Sequence, residues 1–176
     1  CSLAINSACV SSSALVASNY LIDGVAAFDG AIFVGDTDTV RLTLKAGAIS
    51  VTGDHQVTVS GVKDLAGNAI DTVTTIETIK ENQAPTATKL TIVNGTTLQL
   101  TFSEGIADGV GTNDFEVKVN GAVVTPTYIG AGNTVTFTLG STLPSLTTPI
   151  SVKILDTNDI ADGAGNLVPT QTLTLN

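Results

Sequence analysis

The chain has no Trp and no Met, and aromatic residues make up only 4% of it. An exposed aromatic platform for stacking sugar rings is therefore missing, and any core has to be assembled from Val, Ile, Leu and Ala. Charge is also scarce, at 13% of residues, and lopsided: 7 Lys and Arg stand against 16 Asp and Glu, for a net charge of −9 and a pI near 4.2. The few basic residues are scattered, which argues against nucleic acid and anionic membrane surfaces as partners. No run approaches the roughly 20 apolar residues of a membrane-spanning helix. No basic-then-apolar leader opens the sequence, so a removed export signal or an excised fragment is expected. The 2 cysteines, Cys1 and Cys9, lie too close together for anything but a local clip, which excludes a disulfide scaffold. A mature lipoprotein also starts on Cys, but an excised or engineered terminus is the plainer reading of Cys1.

The signatures of catalysis are missing as well. The single histidine, His55, sits in Gly53-Asp54-His55, which reads as an exposed loop tip with no neighbouring Cys and no nucleophile elbow. Glu104 and Asp108 could pair for glycoside hydrolysis only with a sugar platform beside them. Gly163-Ala164-Gly165 lacks the Lys-Ser/Thr and the following helix of a phosphate loop. The chain is read as a non-enzyme.

What the sequence does contain is Thr, Val and a repeated phrase. Asp64-Leu65-Ala66-Gly67-Asn68 in the first half returns as Asp162-Gly163-Ala164-Gly165-Asn166 in the second. Each copy lies between alternating runs of the kind that form half-buried strands, so each is a turn between strands. Asp can bond backbone N–H groups two residues on, and Gly and Asn tolerate left-handed backbone, so the phrase is turn chemistry before it is site chemistry.

The repeat extends well beyond the turn. Thr134-Val135-Thr136-Phe137-Thr138-Leu139 falls on Thr39-Val40-Arg41-Leu42-Thr43-Leu44, and Val152 and Ile154 fall on Val57 and Val59 at the same offset. Asp114 to Gly121 matches Asn19 to Gly24 with small gaps, and Leu100 and Phe102 match Leu3 and Ile5. Val40, Leu42 and Leu44 share one strand face and mark the core side. A hairpin, 86–93 and 97–102 around an Asn94-Gly95 turn, opens the second unit, and only its second strand has an earlier counterpart. About seven short strands per unit at this turn spacing predict an all-β fold of two tandem β-sandwiches. The expected boundaries are a domain over 1–80 lacking its opening strand, a polar linker 81–85 ending in Pro85, and a complete domain over 86–176. The unpaired edge beside Leu3 and Ile5 would then be a template for strand addition or swapping.

Several of these residues together carry a family resemblance. The Ala84-Pro85 entry, Leu100-Thr101-Phe102-Ser103-Glu104 at a strand end, the Asn-Gly or Asp-Gly hairpins and the closing Asp-x-Ala-Gly-Asn turn resemble the bacterial Ig-like repeats of surface-layer (S-layer) proteins from Gram-positive bacilli. The resemblance implies two tandem Ig-like sandwiches and a structural role in a self-assembling protein lattice on the cell wall, often calcium-dependent. It implies an extracellular location, with copies of the chain or adjoining Ig-like domains as partners. A stalk or binding module of a secreted adhesin, or a spacer in a secreted hydrolase, is the alternative.

Calcium takes six to eight oxygen ligands from loops rich in Asp, Glu and Asn. Asp156, Asn158, Asp159 and Asp162 concentrate such groups before the second turn, and Glu104, Asp108 and Asp114 hold others in an earlier loop. Glu77, Glu81 and Asn82 are the candidates at the domain junction. The spacing departs from an EF-hand, because Ile160 stands where a ligand belongs and no Gly follows. Turn capping and solubilisation are the competing role for all of these residues.

Overall fold

The computed structural model describes residues 12–35, 39–107, 111 and 113–175. The strand expected at Ser2–Asn6, its open edge, Cys1, Cys9 and Asp108 lie outside the described residues. The chain divides into two compact units, Cys1–Gln83 and Ala84–Asn176.

Antiparallel strands build both units. In the first, β1 (Tyr20–Ile22), β4 (Gly53–Val59) and β5 (Val73–Ile79) form a sheet in the order β1-β4-β5, and β2 (Phe28–Phe33) pairs with β3 (Val40–Leu44) in a second sheet. The second unit has β6 (Ala87–Asn94), β7 (Thr97–Phe102), β8 (Phe115–Val119), β9 (Ala122–Val124), β10 (Thr127–Ala131), β11 (Thr134–Thr138), β12 (Ile150–Ile154) and β13 (Gln171–Leu175). They make two four-stranded sheets, β10-β11-β7-β6 and β13-β12-β8-β9. The order β5-β4-β1 thus reappears as β13-β12-β8, and β2-β3 as β10-β11.

Alternation explains the layering. Leu98, Leu100 and Phe102 on β7 and Val135 and Phe137 on β11 point inward, as do Phe115 and Val117 on β8 and Ile150, Val152 and Ile154 on β12; all are buried in one cluster between the two sheets. Three rings interlock there: Phe137 meets Phe115 edge-on at 5.1 Å and Tyr128 at 5.5 Å, and Tyr128 stacks on Phe115 at 5.8 Å. Unit 1 is thinner. One cluster holds Ala14, Tyr20, Ala31 and Val62, another Ile22, Ala27 and Ile49, and Val40, Leu42 and Leu44 pack against them from the expected face.

Several local readings are corrected by the structure. Ahead of β1, a stretch given no element in the sequence reading forms two short 3₁₀ turns, Ser12–Leu15 and Ala17–Asn19, whose packing buries Ala14 and lets its carbonyl accept the Tyr20 hydroxyl proton at 2.7 Å. The β6–β7 turn is centred on Gly95-Thr96 rather than Asn94-Gly95. Asn94 stays in the strand beyond a register shift, and its Oδ1 accepts from the Thr96 N–H at 2.9 Å. Strands β9 and β10 lie where the sequence reading had none, in a short stretch broken by Pro126 that carries little alternation. His55 stands on β4, opposite Glu77 of β5, because pairing continues to Gly53–Ile79.

Phe137 is fully buried and meets both other rings of the unit 2 core. Phe137→Ala is expected to lower the unfolding free energy of unit 2 by about 3–5 kcal/mol; urea titration followed by tyrosine fluorescence checks this, and a loss below 1 kcal/mol would contradict it.

Candidate functional site

The repeated turn is the same device in both units, with one more backbone N–H drawn to the aspartate in unit 2. In unit 2 the Asp162 Oδ1 accepts the N–H groups of Ala164 at 2.7 Å, Gly165 at 2.8 Å and Asn166 at 3.0 Å, while Oδ2 accepts from the Asn166 side-chain amide at 2.9 Å. In unit 1 the Asp64 Oδ1 accepts from Ala66 and Asn68, and Oδ2 from the Asn68 amide, each at 2.9 Å. Backbone bonds Asp162 N–H to Asn166 and Gly165 N–H to Asp162 close the loop, matched by Asp64 with Asn68 and Gly67 with Asp64. Gly67 and Gly165 have φ of 91° and 97°, so the turn needs glycine at that one position.

Each clasp seats an apolar plug. Val62 N-terminal to the first turn and Ile160 N-terminal to the second are fully buried, and their carbonyls accept from Ile70 and Val168. Short bridges, Lys63–Ala69 and Ala161–Leu167, flank the turns. The environments differ: Asp162 is 6% exposed whereas Asp64 is only half-buried. Burial by itself pushes the Asp162 carboxyl up, but the hydrogen bonds from Asn166, Ala164 and Gly165 outweigh it and hold the group below 3.8. The Asn68 side-chain amide and backbone N–H lower Asp64 in the same direction.

The loops around the second clasp contain the other candidate ligands. The β7–β8 loop and the β12–β13 loop lie at the same end of unit 2, tied together by Ala107 N–H to the Ala161 carbonyl, Leu155 N–H to the Asp114 carbonyl and the Thr157 hydroxyl to the Asn113 carbonyl. Carboxylate oxygens of Glu104 and Asp162 lie within 4.8 Å of each other. Asp114 is 2% exposed and its Oδ2 takes the Gly111 N–H. Asp156 and Asp159 point to solvent. Asn158 donates to the carbonyls of Leu155 and Val168, and its buried Oδ1 has no hydrogen-bond partner. Of the residues placed at the junction, Asn82 spends its side chain on Ile49 and Lys45, Glu81 accepts from the Gln83 N–H, and Glu77 is exposed on β5.

As a calcium cage this donor set is part-filled. Oxygens of Glu104 and Asp162 are adjacent, but the Asp162 oxygens already accept four N–H bonds, and the exposed Asp156 and Asp159 are not drawn in. The orphan Oδ1 of Asn158 is the one feature with a ligand's chemistry that sequence reading could not rank, since only burial distinguishes it from any loop amide. At the other end of unit 2, a cleft of about 250 Å³ is lined by Val119, Asn120, Val124, Leu139, Gly140, Ser141, Thr142, Leu143 and Pro144, none of them titratable.

No family model matches the chain. A stretch of 93 residues, 52% of the chain, is 36% identical to the surface-layer 125 kDa protein of Lysinibacillus sphaericus. The chain covers 8% of that protein's length. Among the described residues no helix is long and apolar enough to cross a membrane.

Asp162→Ala strands the part-buried N–H groups of Ala164, Gly165 and Asn166 and is expected to cost about 1–3 kcal/mol, more than the same change at the less buried Asp64. Because Asp162 titrates below its ordinary value when folded, its contribution is present above that value and is lost as pH falls through the lower folded one. Thermal unfolding of wild type and variant between pH 2 and 5 checks both statements: the two melting temperatures should converge on acidification.

Proposed function

We propose that the chain is a non-catalytic structural segment of an S-layer protein, two Ig-like sandwiches that join copies of themselves or adjoining like domains in a lattice on the cell wall. The observation that carries this reading is the strand-by-strand duplication closed by matching aspartate clasps, in a chain 36% identical over 93 residues to a surface-layer protein. A repeated rigid unit supplies the same contact many times, and weak contacts summed over an array give avidity. A stalk in a secreted adhesin is the second reading, favoured by the same duplication, because a stalk also needs only length and folding.

Calcium belongs to this reading as an expectation at the acidic end of unit 2. Glu104 and the Asn158 Oδ1 would supply ligands there, and Asp156, Asp159 and Asp114 would supply others after loop adjustment. A metal that binds only the folded state raises its stability by mass action. Melting in calcium against EDTA is expected to show a higher transition with the metal, and superimposable curves would remove calcium from the proposal.

Sedimentation of the purified chain over rising concentration, with electron microscopy of the concentrated sample, tests self-association: ordered sheets or growing oligomers are expected, and a monomer throughout would favour the stalk. Antibody labelling of intact source cells tests the surface location separately.

A further inference from the structure

His55 is held by two groups that can only accept. Its Nδ1 lies 2.7 Å from the Asp23 carboxylate and its Nε2 lies 2.9 Å from the Val51 carbonyl, with the side chain 15% exposed. A neutral imidazole carries one N–H and can satisfy one of these contacts; both are satisfied only when both nitrogens are protonated. The Asp23 carboxylate is fixed in turn, because its other oxygen accepts the Gln56 N–H at 2.8 Å and Asp23 opens the turn after β1 with φ of 50°.

The ring joins three elements: the β1 turn, strand β4, and the loop 45–52 through Val51. That same loop seats the segment by which the chain leaves unit 1. Asn82 donates to the Ile49 carbonyl from its backbone and to the Lys45 carbonyl from its amide, and accepts from Ile49 and Gly47; Glu81 N–H reaches the Thr52 hydroxyl. We propose that His55 is a charged latch: as an imidazolium it pins loop 45–52 and through it the exit segment at Glu81–Asn82, and on deprotonation it releases Val51 and loosens that seat.

The charges around the ring support this direction. Asp23 on the turn, Asp54 beside it on β4 and Glu77 opposite on β5 are all acidic, while Lys45 is engaged with the Ala26 carbonyl. The hydrogen bond to Asp23, then that to Val51, raise the His55 pKa above its ordinary 6.5. The sign follows: a group raised by folding stabilises fully below its ordinary value, and the contribution is lost as pH rises through the folded value. On deprotonation the proton retained is the one at Nδ1, since a lone pair facing the Asp23 carboxylate is repelled more strongly than one facing a carbonyl.

Ring nitrogen and carbon NMR shifts of the full chain, titrated from pH 5 to 9, test the latch. The expected result is a ring doubly protonated at low pH, a titration above the ordinary value, and an Nδ1–H tautomer afterwards. Amide exchange at Ile49 and Asn82, corrected for intrinsic base catalysis, should lose protection over the same range. That loss is about tenfold for each unit by which the folded pKa exceeds the ordinary one. His55→Gln, which does not titrate, should remove the pH dependence. A ring that titrates at or below its ordinary value, or equal pH dependence in wild type and His55→Gln, overturns the proposal. If the variant does not fold, the wild-type ring titration decides alone.

Discussion

Each unit depends on bringing the last strand back beside the one before it, and an aspartate carboxylate, buried in unit 2, sets that return. Asp162 must be ionised, partly desolvated and surrounded by N–H groups at once, and the Asp-x-Ala-Gly-Asn phrase is a compact solution because the donors come from the four residues that follow. With the turn fixed, Ile160 and Val168 are drawn into the core on either side, β13 is delivered antiparallel to β12, and the register Val152 with Leu173 puts leucine on the inner face. In unit 1 the same turn delivers β5, but the residue opposite Val57 is Thr75.

The two units consequently differ more in what they bury than in how they are strung. Constant spacing between equivalent strands holds from Tyr20 and Phe115 through Val59 and Ile154. It then slips by three residues before the clasp, where 60–63 in unit 1 corresponds to 155–161 in unit 2. The extra length brings in Asp156, Asn158 and Asp159. The acidic character of that end thus comes from extra length added beside a clasp shared by both units, which explains why the clasp can be saturated with N–H donors while Asp156 and Asp159 beside it remain in solvent.

Much of this could be read directly from the sequence, for identifiable reasons. The strands with strict alternation, such as Thr97–Phe102, Thr134–Thr138 and Ile150–Ile154, and the clasp, whose chemistry is local, were legible because short-range pattern determines them. β10 was not, since Thr127–Ala131 owes its place to pairing with β11 and carries little alternation of its own. His55 looked like a loop tip because Gly53-Asp54 is turn chemistry, and only the partner strand makes it part of β4. Within the candidate site, residue type identified the acidic loops. Which oxygens were already occupied, at Asp162 and Asp114, or left without a partner, at Asn158, depends on three-dimensional packing.

The exposure of β5 on both faces, apart from Ile79, has a further meaning. Among the described residues, a strand wetted on both sides holds to its sheet by the β4 ladder, two side-chain bonds to β4 and the packing of Ile79, so it belongs to the low end of the local-stability scale, while the cluster around Ala14, Tyr20 and Val62 sits higher. Because β5 leads straight into the exit segment, unit 1 has a hierarchy of opening. One strand can peel and let its connector swing while the rest of the unit stays folded, and the Asn82 network is the stitch that opposes it.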